Sequence, residues 1–327
     1  MKDLFNRILP LSKKASVNQI NLLNQKIYEI QTELSEIKEM LYSQIDQERL
    51  AELLKLRYME RTGNILNLDN PQTYNEKIQW LKLYDRDPRK TLLSDKYLVR
   101  DWIRNKIGEE YLIPLLGVYR STREIDFNTL PNSFVLKANH GSGMNAIVKD
   151  KSTADMNAII EKANQWLKTN YAFNEFEMHY NDIPRRLIVE QYMENKDGDL
   201  PDYKFWCFDG KCRMIEMIVN RYSDPQTAFY DSDWNRLAFT TGHYPPIDRE
   251  IEKPAMLQKM IDIAEKLSEG FVHVRVDLYQ INSEIKFGEM TFTPFSGIYN
   301  WNPSETDLEV GKMLVLPKRE DYRFNNE

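Results

Sequence analysis

The chain is poor in the residues that most often announce a chemistry. Only two of its 327 residues are cysteine, Cys207 and Cys212. They stand five apart inside what reads as a strand pair, which suits neither a disulfide framework nor a zinc ligand set, so both are expected to be reduced, buried and structural. The four histidines, His140, His179, His243 and His273, are scattered and lack the i, i+4 pairing of a zinc helix. Only His140, inside a glycine-containing loop, is a candidate contact for a phosphate or a substrate, because such a loop can close over reacting groups. No apolar run approaches the roughly 20 residues of a spanning helix, and no apolar N-terminal segment leads to a small-residue cleavage site. The expected setting is the reducing cytoplasm. Positive charge is not in excess: the net charge of -6 argues against nucleic acid as a partner, since coating it requires a basic face that displaces counterions.

What is present is enough apolar material, 42% of the chain, for two or three packed lobes. In residues 1-14, Leu4, Phe5, Ile8 and Leu9 share a helical face ringed by Lys2, Arg7, Lys13 and Lys14 until Pro10 cuts it short. Residues 1-9 can therefore touch the inner face of an anionic membrane, or form a frayed lead-in to the next helix. Within residues 15-60, Ile20, Leu23, Ile27, Ile30, Leu34, Ile37 and Leu41 alternate three and four positions apart. This heptad seam over 20-41 predicts a coiled coil that joins copies of the chain, the alternative being packing along its own body. Ile45, Leu50, Leu53 and Leu54 continue in a different phase, so the coil is expected to end near Tyr42.

Residues 61-120 read as amphipathic helices, and short strands follow. Phe134 to Ala138 runs into His140-Gly-Ser-Gly143; Leu187 to Tyr192 is another strand. The Asp209-Gly210 pair turns Asp202-Phe208 back into Lys211-Val219, and a turn at Asn282-Ser283 pairs the strands around Asp277 and Glu289. The class expected is α+β.

Lys137 closes an apolar strand immediately before a loop with two glycines. Such a loop can cradle phosphates with its amides while the lysine supplies charge, or be an ordinary hairpin turn. It lacks the Gly-Lys-Ser/Thr of a Walker loop. Arg275 and Asp277, two apart on a strand, share a face, and the hairpin return can bring Glu289 opposite Asp277. That set makes either a magnesium site with an arginine beside it or a cross-strand ion pair on a solvated face. Trp206, Phe208, Trp234, Tyr299 and Trp301 suit a core, although Tyr299 to Asn302 can also line an acceptor cleft.

The ordered series Ser94-Asp-Lys96, Phe134-Val-Leu-Lys137 with Gly141-Ser-Gly143, Leu187-Ile-Val-Glu190-Gln-Tyr-Met193, Asp202-Tyr-Lys204, Val274-Arg-Val-Asp277 and Gly288-Glu-Met-Thr291 resembles the ATP-grasp superfamily. More narrowly it resembles the TupA-like branch, found in bacterial surface-polysaccharide gene clusters and named for teichuronopeptide synthesis. The resemblance runs from about Tyr74 to Gly297. It implies an ATP-grasp fold of two α+β lobes, the smaller over 121-190 with a glycine lid and the larger over 191-317, with 318-327 as a loose tail.

It implies ATP and Mg2+ as cofactors. Lys96, Lys137, Gly141, Ser142 and Gly143 would meet the phosphates; Glu190, Gln191 and Met193 would form the hinge whose backbone reads adenine. Asp202 would lie near the ribose, Lys204 near the phosphates, and Asp277 and Glu289 on magnesium, with Arg275 and Lys204 as the catalytic cations. Many members carry asparagine where this chain has Thr291, which bears on a second magnesium, with Asn300 or Asn302 as substitutes. The reaction implied joins an amine or amino acid to a carboxylate, on a small molecule or glycan of the capsule, O-antigen or teichuronopeptide kind, through an acyl phosphate. A glycan kinase, a glycosyltransferase using a nucleotide sugar, and a non-enzymatic assembly protein built on the coil are the rival classes.

Overall fold

In the computed structural model, which describes residues 19, 22-23, 26-27, 29-30, 32-195, 200-221 and 223-318, nine strands form two antiparallel sheets. The amphipathic segment 1-14, Ile20 of the seam and residues 319-327 of the tail lie outside the described residues. The first sheet has the order β1 (Leu115–Tyr119), β4 (Leu187–Gln191), β2 (Phe134–Ala138), β3 (Asn145–Val148). Helix α6 (Met156–Lys168) covers it, with Ala163, Ile159 and Trp166 packed on Phe134, Leu136 and Val189.

The second sheet runs β7 (Gln226–Tyr230), β6 (Lys211–Val219), β5 (Asp202–Phe208), β8 (His273–Ile281), β9 (Glu284–Thr291). Period-two alternation gives it two buried faces. Tyr203, Phe205, Cys207, Val274, Val276 and Leu278 meet Leu257, Met260, Ala264 and Leu267 of α8 (Leu257–Ser268). Trp206, Phe208, Met214 and Phe229 turn the other way, against Tyr74, Ile78 and Leu81 of α3 (Tyr74–Tyr84) and against Tyr299 and Trp301. Trp206, Phe208, Tyr299 and Trp301 are therefore core residues. Cys207 and Cys212 face each other across β5 and β6 as buried free thiols.

Helix α3 starts on a reciprocal cap: the Thr73 hydroxyl accepts from Glu76 N while the Glu76 carboxylate accepts from Thr73 N and Gln72 N. Almost every residue of α3 is buried, because α2 (Gln47–Thr62), the second sheet and α9 (Thr306–Met313) enclose it. Ahead of α2 a helix, α1, spans 32-42. The end of α1 is fastened to the body: Arg185 donates two hydrogen bonds to the Glu39 carboxylate, at 2.6 and 2.7 Å, and the Tyr42 ring lies about 5.5 Å from Phe173 and Phe176. The seam residues Leu23, Ile27, Ile30, Leu34, Ile37 and Leu41 remain about half-exposed along it.

Candidate active site

Where the two sheets approach one another they leave a cavity of about 360 Å³. From the first sheet Val135, Lys137, Ile147 and the strand end Glu190 to Met193 line it; from the second come Asp277, Tyr279, Gly288 and Glu289, with Lys96 between them. Its lining is apolar toward Ile113, Val135 and Met193 and cationic toward Lys96, Lys137 and Arg221.

The charged wall is a single transverse row of the second sheet. Glu216 on β6, Lys204 on β5, Asp277 on β8 and Glu289 on β9 are successive cross-strand neighbours, and Arg275 sits one step along with Trp206 and Thr291 as neighbours. Alternation carries all of them to one face, while their chain neighbours fill the α8 core. Lys204 Nζ donates to Asp277 at 2.5 Å and pairs with Asp202 at 2.8 Å. Arg275 grips both Asp277 oxygens, at 2.7 and 2.8 Å. Glu289 meets Lys96 at 3.2 Å and Arg275 at 3.5 Å. The cross-strand ion pairs considered from the sequence exist, but on a buried wall rather than a solvated face: Asp277 is 2% and Arg275 7% exposed. Burial works to raise the Glu289 carboxyl, yet Lys96, Arg275, Lys204 and Arg221 hold it well below the usual range.

The loop after Lys137 folds back on that wall. Lys96 Nζ donates to Gly141 O at 2.9 Å, Gly143 takes a left-handed φ of 72°, and Ser142 and Gly143 line the cavity. At Gly141 a Cβ would fall 2.8 Å from the Tyr171 ring. Lys137 Nζ donates to Glu190 at 2.6 Å, and Arg100 holds the other Glu190 oxygen at 3.1 Å. Burial lowers the Lys137 pKa, but Glu190, with Tyr279 and Glu289 behind it, pushes it up to about 12. Lys137 is therefore a fixed cation.

The structure thus brings together Lys96, Lys137, Ser142, Gly143, Glu190, Gln191, Met193, Asp277 and Glu289 around one cavity. Lys204 and Arg275 line a second cavity, of about 540 Å³, which meets the first at Ser142, Gly143, Asn145, Arg221 and Glu289. Asp202 lines neither: fully buried, it holds Lys204 and Arg221 from behind. His140 is also turned away. It is buried, within 2.9 Å of Trp166 O, and burial lowers it to about 4, so it is no phosphate contact. Asn300 and Asn302 line neither cavity, and Thr291 Oγ1 is occupied within the wall by Arg275 and Glu289.

Sequence reasoning missed Arg221, Glu216, Glu177 and Phe295, all on the second cavity. Burial raises the carboxyls of Glu216 and Glu177. The sequence signal for Phe295 is its place in Thr293-Pro-Phe-Ser-Gly297, whose proline and glycine mark a turn without fixing where the ring points.

Among the described residues no three or more His, Cys, Asp or Glu side chains cluster to hold a metal alone. Two facing carboxylates, one of them 31% exposed and held ionised, fit an ion such as magnesium that keeps several waters and takes other ligands from phosphate.

A family model described as TupA-like ATPgrasp matches residues 76-315. No curated protein matches the chain. Among solved structures, D-alanine--D-alanine ligase from Bacillus anthracis is 17% identical with a TM-score of 0.38, over 62% of this chain and 57% of that one. The Helicobacter pylori D-alanine-D-alanine ligase is 14% identical, TM-score 0.41, over 74% and 69%. A RimK domain ATP-grasp protein from Sphaerobacter thermophilus is 12% identical, TM-score 0.39, over 73% and 76%. The chain thus spans little more than half of the first of these proteins.

Proposed function

The chain belongs to the TupA-like ATP-grasp family, and from that membership and the junction of the two cavities we propose that it is an ATP-dependent carboxylate-amine ligase. The observation that carries the reading is the cationic junction: Arg221 stands where a cavity suited to a nucleotide meets a second one suited to an acceptor, and Lys204 and Arg275 line that second cavity beside it. The apolar end by Ile113, Val135 and Met193 takes the adenine, with Gln191 and Met193 at its edge. Lys96, Lys137 and the Gly141 to Gly143 loop take the phosphates, and Asp277 and Glu289 hold magnesium. Bound there, magnesium supplies positive charge against the phosphate oxygens.

The acceptor carboxylate lies against Arg275 and Arg221, in line with the terminal phosphoryl group. Its oxygen takes that group as ADP leaves; a neutral amine then attacks the acyl carbon and displaces phosphate, which carries off the amine's proton, to leave an amide. Lys204 and Arg275 neutralise the charge that builds at the reacting carbon, and the glycine loop excludes water from the activated acid. Asp202 and Asp277 keep these cations aimed, and Glu190 does the same for Lys137, each by an ion pair within 2.8 Å. Arg275, buried and tied to Asp277, is held charged at any working pH.

The acceptor class proposed is a carboxylated glycan or glycan precursor of a bacterial surface polysaccharide, and the donor an amino acid or amine. The half-exposed seam on the N-terminal helix supports association of copies through residues 20-41. No helix among the described residues is long and apolar enough to cross a membrane; contact of residues 1-9 with a membrane surface stays part of the proposal. The testing experiment is magnesium-dependent ADP release across amino acids and uronic-acid acceptors, with mass spectrometry of the product. A gain of an amino acid less water supports ligation. A gain of one phosphate instead establishes transfer to a hydroxyl, for which buried Glu216 on the acceptor cavity is the available base.

A further inference from the structure

Beyond the acceptor cavity lies a third, of about 740 Å³, between α2, α3 and the segment 298-308. It meets the acceptor cavity at Arg61 and Ile298, which line both. The two cavities therefore adjoin at these two side chains, outward of the cationic junction. The acceptor cavity alone has the size of a small-molecule pocket, about 300–1,000 Å³, so the third is space beyond what one sugar fills.

The acceptor cavity's wall just ahead of Ile298 is built under strain. Phe295 and Ser296 are non-glycine residues with left-handed φ of 50° and 57°, a strained conformation that persists only where the surroundings impose it. Helix α3 imposes it. Gln79 Nε2 donates to Ser296 O and Gly297 O at 2.9 and 2.8 Å, and Lys82 Nζ donates to Ser296 Oγ at 2.5 Å. The result is a Phe295 ring that is 44% exposed on the acceptor cavity and stacked with His243. An aromatic face of this kind suits the apolar side of a sugar ring.

The outer cavity has a different chemistry from the inner two. Its lining offers the exposed polar side chains Asn64, Asn300 and Ser304 and the aromatic Tyr58, and its only guanidinium or ammonium is Arg61 at the junction, already paired with Glu175. Glu76 and Asp307 add negative charge. Amides and hydroxyls both donate and accept, as sugar hydroxyls require, whereas a run of carboxylates or phosphates would meet acids and, among the described residues, no cation past Arg61.

Resting on the ligase reading, we propose that the acceptor is an oligosaccharide whose single reacting uronate lies at the cationic junction while neutral sugars extend past Arg61 into the outer cavity. The test compares free glucuronate, an aldouronic oligosaccharide with one glucuronate on two or three neutral pentoses, an oligogalacturonate of equal length and an oligoglutamate peptide. Each is assayed by kcat/KM for magnesium-dependent ADP release.

The neutral-flanked oligosaccharide should exceed free glucuronate by about tenfold or more, since remote contacts are realised in the transition state. Ser304→Trp and Leu308→Trp, two exposed positions on the outer cavity, should each remove that gain while leaving free glucuronate turnover and the ATP-induced rise in Tm unchanged. Equal use of monomer and oligomer, or a length gain with oligogalacturonate or oligoglutamate instead, overturns the proposal. The same length gain with a phosphorylated product supports the outer cavity as a sugar site and sinks the ligase reading. If no acceptor releases ADP, both readings fall.

Discussion

Asp277 and Glu289 face each other across β8 and β9 because Gly288 is an extra residue in the return strand. The hairpin pairs Leu278 with Phe287, skips Gly288, and resumes with Asp277 opposite Glu289. Without that bulge Glu289 would stand opposite Val276 and its carboxylate would turn into the α8 core. A Cβ at position 288 would lie 3.0 Å from both Asp277 O and the Tyr279 ring. Gly288→Val should therefore destabilise the chain by about 1–3 kcal/mol, as overpacking does, and displace Glu289 from the wall. Urea unfolding and ADP release check this, and wild-type values in both would refute the account of the bulge.

Glu289→Gln is a gentler probe. The side chain is a third exposed and its ion pairs are with Lys96 and Arg275, each of which keeps another partner, Gly141 O and Asp277. Loss of such a pair costs about 0–1 kcal/mol, so Tm without ligands should barely move. The magnesium concentration for half-maximal ADP release should rise about tenfold or more. An unchanged magnesium requirement would remove Glu289 from the metal site.

For the nucleotide, Lys137→Met leaves Glu190 paired with Arg100, so the first sheet should stay folded. ATP at about 100 times its Kd stabilises a protein by about 2.7 kcal/mol. Thermal unfolding should show a rise of several degrees with Mg-ATP in the wild type and little or none in the variant. A full-sized rise in the variant would mean that Lys137 serves Glu190 alone.

Strand alternation was enough to place Arg275 and Asp277 on one face, and turn chemistry at Asp209-Gly210 and Asn282-Ser283 was enough to pair the strands. The bulges were not legible. Counting back from Asp209-Gly210, where Phe208 faces Lys211 and Cys207 faces Cys212, an unbroken ladder sets Lys204 opposite Ile215. The shift between Trp206 and Cys207 sets it opposite Glu216 instead, which is why that buried acid went unseen. Arg221 and Phe295 were hidden for another reason: they reach the cavities from irregular segments, where no period fixes direction. His140 and Asp202 show the converse error. A polar residue beside a functional loop or strand can serve as its support, and only burial reveals which.

Three changes on the exposed seam, Leu34→Glu, Ile37→Glu and Leu41→Glu together, should reduce the mass in light scattering to the 38.9 kDa of one chain. All three side chains are about half-exposed, so the body should remain folded and bind ATP as before. A wild-type that is already monomeric would reject the seam as an interface.

Asp307 offers a pH test. Burial raises its carboxyl from 3.8 to about 6, against the hydrogen bond from Asn75 N and with Glu76 adding to the rise. Between these values the folded chain binds more protons at this site than the unfolded one, so its contribution to stability falls as pH rises from about 4 to 6. Asp307→Asn keeps an acceptor for Asn75 N and removes the titration. Relative to wild type it should gain in denaturation midpoint between pH 4.5 and 7. A constant difference across that range would exclude the raised carboxyl.

The clamp at the base of α1 has a directional consequence. Glu39 is held by Arg185, and Tyr42 is wedged on Phe173 and Phe176, within and at the end of the short helix Ala172–Glu175, which follows the Tyr171 that packs over Gly141. The bearing of the last turns of α1 is thus set relative to the cleft mouth. Any partner that takes up the seam is thereby held beside the segment that backs the glycine loop.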